Sequence, residues 1–480
     1  MLANILKNSF IYSAAGLFSG GTLLLIVPVY TRIFSVKDYG LFEYISIIGT
    51  LAGVTIALEI HQAVARFTAD LHNNRLLMRT YASTALVFTV LMHALIILIT
   101  VLFGKYIAFK LLGDSNLSIL LFTAALSFGV AGVVNVMVTQ LQWELRAKES
   151  ALLSIISSLI AFAVSMLLVW ALRWGLIGAY LGPVLSGVLV VPFGLWLASG
   201  SFGLVFSVKA LKQMLAFSIP LVFSSVGWVL SSYLDRLAIK QLLTYEDVAV
   251  FGVGFKIAGM VMLLMTGLQG AVSPVIYAHH EDTETPGRVA KMLRWFSAVA
   301  LLFCGFLSIF SPELLWIFAT PDYKGAVWVI PPLALSIVLS RFYIFAPGMG
   351  LAKKTVLYAV VNISTGLLNL GLNYVLIPVW GITGAAAATL ISACLSFGVI
   401  MWISQRYYEV PHNFMPMILM GLCGYSVMML STWVYDAFYA GFTTRLLAFL
   451  VLMLLPYFMG VVLKEELKEG YRLVKLRTGF

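Results

Sequence analysis

Apolar runs of about twenty residues, separated by short polar stretches, recur along the whole chain. A run of that length lets a helix cross the roughly 30 Å hydrocarbon core of a bilayer. Alternation of the β-barrel kind is absent, so a helical bundle is the expected way to satisfy the backbone in lipid. Read with a window of about 19 residues, the spans fall near 11–31, 39–60, 80–103, 117–139, 151–172, 176–198, 214–236, 248–276, 292–311, 327–350, 354–377, 381–403, 413–434 and 443–463. The expected fold is therefore an all-α integral membrane protein with about 14 transmembrane helices. The connections between spans are too short to hold a soluble domain.

Composition agrees with that pattern: 61% of residues are hydrophobic and 10% charged, against roughly 25% charged in ordinary globular domains. A soluble enzyme, a DNA-binding domain and a secreted disulfide scaffold are excluded on this ground. The net charge of +10 comes from short clusters between apolar runs and forms no continuous basic stripe. It reads as topology signal facing anionic lipid, with no nucleic acid partner. With both termini cytoplasmic, nineteen Lys and Arg fall on the inner side, nine on the outer side, and two, Lys256 and Arg341, within spans. That asymmetry predicts a multi-pass protein oriented with both termini on the cytoplasmic side. Cys304, Cys394 and Cys423 lie far apart in apolar segments and form no pair or framework. Residues 11–31 are long enough to span, so they read as a first helix and not as a cleaved leader.

Three landmarks of the first half recur in the second in the same order. Tyr30-Thr31-Arg32 ends the first span and Leu234-Asp235-Arg236 the seventh, with the arginines 204 residues apart. Ala147-Lys148-Glu149-Ser150 and Ala352-Lys353-Lys354-Thr355 open the fifth and eleventh spans at an offset of 205. Trp174-Gly175-Leu176-Ile177-Gly178-Ala179 and Trp380-Gly381-Ile382-Thr383-Gly384-Ala385 join the next pairs of spans at an offset of 206. The predicted organisation is two six-helix lobes, 1–206 and 207–408, followed by an extra helix pair and basic cytoplasmic tail at 409–480. An even number of spans per lobe makes the repeats parallel, with a central cavity and alternating access by rocking as the natural mechanism. Gly178 and Gly182, and again Gly384 and Ala388, are spaced for close helix packing.

With the repeat laid out, the chain resembles the Wzx-type flippases of lipid-linked oligosaccharides. These form the polysaccharide transporter branch of the multidrug/oligosaccharidyl-lipid/polysaccharide exporter superfamily. The residues carrying the likeness are Asn8-Ser9-Phe10-Ile11-Tyr12, Pro28-Val29-Tyr30-Thr31-Arg32 with Asp38-Tyr39-Gly40, Asp235-Arg236, and the two Trp-Gly-x-x-Gly-Ala turns. Fourteen spans, where many members have twelve, is a departure. The resemblance implies transfer of an undecaprenyl-diphosphate-linked oligosaccharide, such as an O-antigen unit, from the cytoplasmic to the outer leaflet of a bacterial plasma (inner) membrane. The implied partners are that lipid, the membrane and other polysaccharide assembly proteins, with no cofactor.

A flippase of that kind must shield a diphosphate and a glycan, and Arg engages phosphate bidentately. An ionisable group inside a span is costly enough to be read as functional by default. Lys256, about eight residues into the eighth span, and Arg341, about fourteen into the tenth, lead the candidates for an anion site. The competing reading is a helix-end anchor or a salt bridge, for Lys256 with Asp235 or Glu246. Arg32 and Arg236 occupy matching places and would hold the diphosphate on the release side, unless they snorkel to lipid. Arg66 would receive the head group or anchor the inner end of span two. Asn362, Asn369 and Asn373 share a face of span eleven, and would bond sugar hydroxyls or neighbouring helices. Gln140 and Trp143 would offer a sugar-stacking surface or an interfacial anchor. Glu43, Glu59 and Asp235 are the acidic candidates for ion coupling. The cluster His279-His280-Glu281-Asp282 reads as a solvated loop and not a metal site.

Two other functions compete. A cation-coupled multidrug exporter of the same superfamily would share the fold, but calls for an acid in the first lobe's spans, and span one has none. A membrane polysaccharide polymerase, ligase or glycosyltransferase would need long outer loops carrying its catalytic groups. Patterns for nucleotide, acyl-transfer or zinc chemistry are missing as well.

Overall fold

The computed structural model describes residues 24–70, 74–262, 279–352, 354–438 and 441–462, with isolated positions at 16, 18, 20–22, 264, 265, 272 and 276. Asn8–Tyr12, Lys353 and the basic tail after 462 lie outside these residues. In chain order the helices are α1 Val36–Ile56, α2 Ile60–Asp70, α3 Arg75–Leu112, α4 Ser118–Trp143, α5 Ala147–Met166, α6 Gly175–Leu197, α7 Val208–Leu242, α8 Tyr245–Ala258, α9 Thr285–Ile309, α10 Ser311–Phe318, α11 Ile330–Arg341, α12 Thr355–Trp380, α13 Ile382–Gln405, α14 Phe414–Phe438 and α15 Phe442–Phe458. The chain is an all-helical, multi-pass membrane protein.

Ten described stretches are long and apolar enough to cross a membrane, and a bent pair, Pro321–Trp328 with Ile330–Phe345 at 49°, makes an eleventh. Gly20–Ile33 and Phe442–Phe458 are apolar but shorter. The differences from fourteen even spans have visible causes. Span ten is broken where Pro331 and Pro332 withhold two backbone donors near the start of α11. Span eight divides at Gly259, and most of its remainder is outside the described residues.

Helix starts follow capping chemistry. The Ser35 hydroxyl accepts from the Asp38 N–H at 3.1 Å to open α1. Thr244 opens α8 in the same way with Asp247 N–H at 3.2 Å, and the Asp247 carboxylate accepts from the Thr244 N–H at 3.2 Å. α3 stops at Gly113, whose φ of +81° suits a residue without Cβ.

Two compact units divide the chain, Met1–Tyr233 and Leu234–Phe480, and the division falls inside α7. In the first unit α5 and α6 form a tight hairpin, and Met137, Leu141, Leu153 and Val190 are buried beside it. A Cβ on Gly182 would stand 2.6 Å from the Ser165 Cα, so glycine sets how closely α5 and α6 approach. In the second unit α12 and α13 form the corresponding hairpin. There a Cβ on Gly384 would stand 2.3 Å from the Leu376 carbonyl oxygen.

α14 and α15 pack on α9 in the second unit. Gly424 meets Leu301, Gly305 meets Leu452, and Phe306 and Phe310 stack near Phe449. Arg445 Nη2 bonds Glu313 Oε1 at 2.6 Å. Large apolar side chains such as Leu91, Leu98 and Leu102 are exposed along α3, as expected where hydrocarbon is the solvent.

Candidate functional site

The most developed polar site lies within the second unit. α7 carries Asp235 about two turns before its end, α12 carries Asn369 and Asn373 one turn apart, and α13 carries Thr389. Asn373 Nδ2 donates to Asp235 Oδ1 at 2.9 Å and to Asn369 Oδ1 at 3.0 Å. The Thr389 hydroxyl lies 2.8 Å from Asp235 Oδ2 and 3.0 Å from the Ala385 carbonyl oxygen. Asp235, Asn369 and Asn373 are all buried. Hydrogen bonds to a charged group contribute about 1.5–3 kcal/mol each, so this cradle ties three helices. Asn373 Oδ1 is buried with no hydrogen-bond partner among the described residues. A carboxylate, an unmet amide oxygen and a hydroxyl together form a set of hard oxygen donors, which suits a proton or a small hard cation.

Arg236 is buried beside this cradle. Its guanidinium lies 3.9 Å from the centre of the Phe255 ring and 5.8 Å from that of Phe251, both on α8. Such stacking on desolvated rings contributes about 2 kcal/mol. Arg32 is exposed, and its Nη1 donates to the Pro28 carbonyl at 2.7 Å. Lys256 and Arg341 are half-buried on α8 and α11, two helices that pack on each other. Arg341 Nη2 lies 3.7 Å from Met262 Sδ. Arg66 is exposed on α2, 5.6 Å from the centre of the Phe217 ring.

The remaining candidates separate. Asn369 and Asn373 bond between helices, whereas Asn362, two turns earlier on the same face of α12, is exposed. Gln140 is fully buried: its Oε1 accepts from Thr68 at 3.1 Å and its Nε2 donates to Glu144 Oε1 at 2.7 Å. Glu144 in turn accepts from Ser201 at 2.7 Å, so Gln140 belongs to a knot joining α2, α4 and the segment after α6. Trp143 is exposed. Glu43 is buried on α1 near Tyr180, whose hydroxyl donates to the Phe42 carbonyl at 3.0 Å. Glu59 is buried at a break between α1 and α2, where Leu58 and Glu59 both take positive φ, +48° and +53°. Left-handed backbone is costly for such side chains. Glu59 Oε2 lies 3.3 Å from His61 Nε2. Burial holds the His61 imidazole below its ordinary value, against the opposing pull of the Glu59 carboxylate.

Sequence reasoning missed Thr389 and Glu144. The Thr389 signal was its position eight residues into span twelve, with a hydroxyl among alanines. Nothing in the sequence tied it to Asp235, 154 residues away.

Helices arranged in this way, with a buried carboxylate held among apolar residues, make an all-helical membrane fold. Solved structures show the likeness directly. The inward-facing structure of a multidrug resistance MATE family transporter of the MOP superfamily aligns at a TM-score of 0.61 and 17% identity, covering 82% of this chain and 93% of that one. A MOP superfamily transporter from Pyrococcus furiosus aligns at 0.54 and 16% identity, covering 84% and 93%. A protein of Haloferax volcanii named a probable low-salt glycan biosynthesis flippase, Agl15, is 24% identical over 84% of this chain and 83% of its own length. A protein of the Lsg locus of Haemophilus influenzae is 23% identical over 71% of this chain and 83% of its own length. The polysaccharide biosynthesis protein family matches residues 29–328, and the chain belongs to that family.

Proposed function

We propose that this protein is a flippase that moves an undecaprenyl-diphosphate-linked oligosaccharide from the cytoplasmic to the outer leaflet of a bacterial plasma membrane by alternating access. The observation that carries this reading is the family match at 29–328 on a chain built of membrane-spanning helices. A polysaccharide biosynthesis protein of this build is suited to carrying the lipid-linked unit between leaflets. The flippase name of the Haloferax volcanii relative supports the same reading.

In this proposal Lys256 and Arg341, on the adjoining helices α8 and α11, engage the diphosphate as paired cations. Arg66, exposed on α2, and Arg32 receive the anionic head group at the surface of the first unit. Arg236 acts differently, by fixing α7 against α8 beside the cradle. Asp235 with Asn369, Asn373 and Thr389 binds the coupling ion, a proton or sodium, and its occupancy biases the conformational equilibrium. The lobes 1–206 and 207–408 move as the alternating elements, with 409–480 as an accessory pair.

Deleting the gene in its host is expected to remove surface glycan and to accumulate lipid-linked oligosaccharide on the inner leaflet. The wild-type gene restores display, while Lys256→Ala and Arg341→Ala, present in the membrane at normal level, do not. A cation-coupled multidrug exporter is the second reading, because its fold is that of the MATE neighbours. Normal glycan in the deletion strain, together with new sensitivity to cationic dyes, would establish that reading instead.

A further inference from the structure

α3 runs 38 residues from Arg75 to Leu112, and His93 sits at its middle, roughly 27 Å from either end at 1.5 Å per residue. That depth lies inside the hydrocarbon-crossing part of the helix. The side chain is buried, and its Nδ1 meets the Thr89 carbonyl at 2.8 Å. A carbonyl accepts only, so Nδ1 carries the hydrogen and Nε2 presents a lone pair. Nε2 is buried with no hydrogen-bond partner among the described residues, and the same holds for the hydroxyl of the buried Thr89 one turn away.

The ring is received by a notch in α4. A Cβ on Gly132 would stand 2.6 Å from His93 Cε1 and 2.9 Å from Nε2, and one on Gly129 would stand 3.4 Å from His93 Cβ. Two glycines one turn apart thus make room for an imidazole. A leucine or phenylalanine would fill the notch without burying an unmet nitrogen, so packing does not account for a histidine there. An ionisable group at this depth points to function.

We propose that His93 is a proton-binding site of the first unit. Nε2 takes one proton from water when the α3–α4 contact opens, no bond is broken, and Nδ1 keeps its hydrogen. Added in the closed contact, that proton would face the Gly132 backbone with no acceptor. Proton uptake and opening are therefore one linked event, and the ion acts on the conformational equilibrium from a place separate from Asp235. α4 carries no ionisable side chain between Ser118 and Trp143. Of the other helices packed on α3, α1 carries Lys37, Asp38, Tyr39, Glu43 and Tyr44, with Glu43 beside Tyr180. α2 carries His61, paired with Glu59, Arg66, over Phe217, and Asp70 at its last position.

The inference goes beyond the flippase reading and is tested without any glycan. The full chain is reconstituted in phosphatidylglycerol vesicles, and deuterium exchange at the C2 position of each histidine is followed by mass spectrometry. His93 is expected to give an exchange profile that changes sigmoidally with pH. A flat profile at His93 overturns the proposal. Proton uptake by the same vesicles after an acid jump is expected to fall by one proton per chain in His93→Gln. Uptake unchanged in that variant also overturns it. Should His93→Gln fail to insert, the wild-type exchange profile decides the question alone.

Discussion

Thr31-Arg32 in the first unit and Asp235-Arg236 in the second occupy corresponding places in the repeat, 204 residues apart, and their surroundings are opposite. Thr31 turns its hydroxyl back onto its own helix, donating to the Val27 carbonyl at 2.8 Å, and Arg32 is exposed. Asp235 reaches across to two other helices, and Arg236 is buried against Phe255. Nearby, the first unit brings together neutral hydroxyls, Tyr30 with Ser165 and Tyr180 with Ser46. The second brings together two amides, a hydroxyl and a carboxylate. The hairpins behind these sites are alike, each closed by glycine at the helix contact. The two units thus share a glycine-closed hairpin and differ in chemistry: the carboxylate held by amides and a hydroxyl belongs to the second unit, and the first holds buried titratable groups at Glu43, Glu59 and His93.

The largest effect should follow from removing the charge that distinguishes the two sites. Asp235→Asn keeps the size of the side chain but removes the carboxylate that Asn373 and Thr389 serve. Its transport rate, read as the appearance of lipid-linked oligosaccharide on the outer leaflet, is expected to fall at least about tenfold, the equivalent of about 1.4 kcal/mol. Thr31→Val, at the matching position, should change the rate less than about twofold. Equal losses from the two variants would mean that both copies of the repeat carry the ion chemistry, and the comparison would fail.

A smaller effect separates the two arginines. Arg236→Ala removes stacking on a desolvated ring and leaves a gap beside Phe255, at a cost of about 2–3 kcal/mol. Arg32→Ala changes an exposed side chain and should cost within about 0.5 kcal/mol. Thermal unfolding of the purified proteins in detergent measures both. If Arg32→Ala lowers the Tm as far as Arg236→Ala does, the exposed arginine has a structural role and the assignment of separate roles is lost.

These contrasts also show what a linear reading can hold. The hairpin turns were legible because glycine marks them, at Gly175 with φ +58° and Gly381 with φ +60°. The shared face of Asn369 and Asn373 was legible from their four-residue spacing. Their pairing with Asp235 was not, because the partner lies on a helix more than a hundred residues away and hydropathy is silent on which faces meet. Nor could sequence show that Gln140 is buried in a knot with Thr68 and Glu144, or that Arg236 is buried while Arg32 is exposed. The Thr244–Asp247 capping box is readable in the sequence, because a hydroxyl followed three residues later by an acid marks a helix start. Ser35–Asp38 carries the same pattern 209 residues earlier.

The smallest effect concerns acid stability, and it too sets one unit against the other. In the second unit His412 lies between α13 and α14. Its Nε2 donates to the Phe345 carbonyl at 3.1 Å, and its Nδ1 is buried without a hydrogen-bond partner among the described residues. Burial holds the imidazole below its ordinary value, and the bond to Phe345 only partly offsets that. The unfolded chain takes up a proton at about pH 6.5, whereas the folded chain does so only at lower pH. The contribution of His412 is therefore fully present above about pH 6.5 and is lost as pH falls through the folded value. In the first unit His61 is also held low by burial, but Glu59 at 3.3 Å pulls the other way. Acidification from about pH 7.5 to 5.5 should lower the Tm of the wild-type protein, and His412→Gln should reduce that drop more than His61→Gln does. A drop unchanged by His412→Gln would place the acid-sensitive step outside the α13–α14 connection.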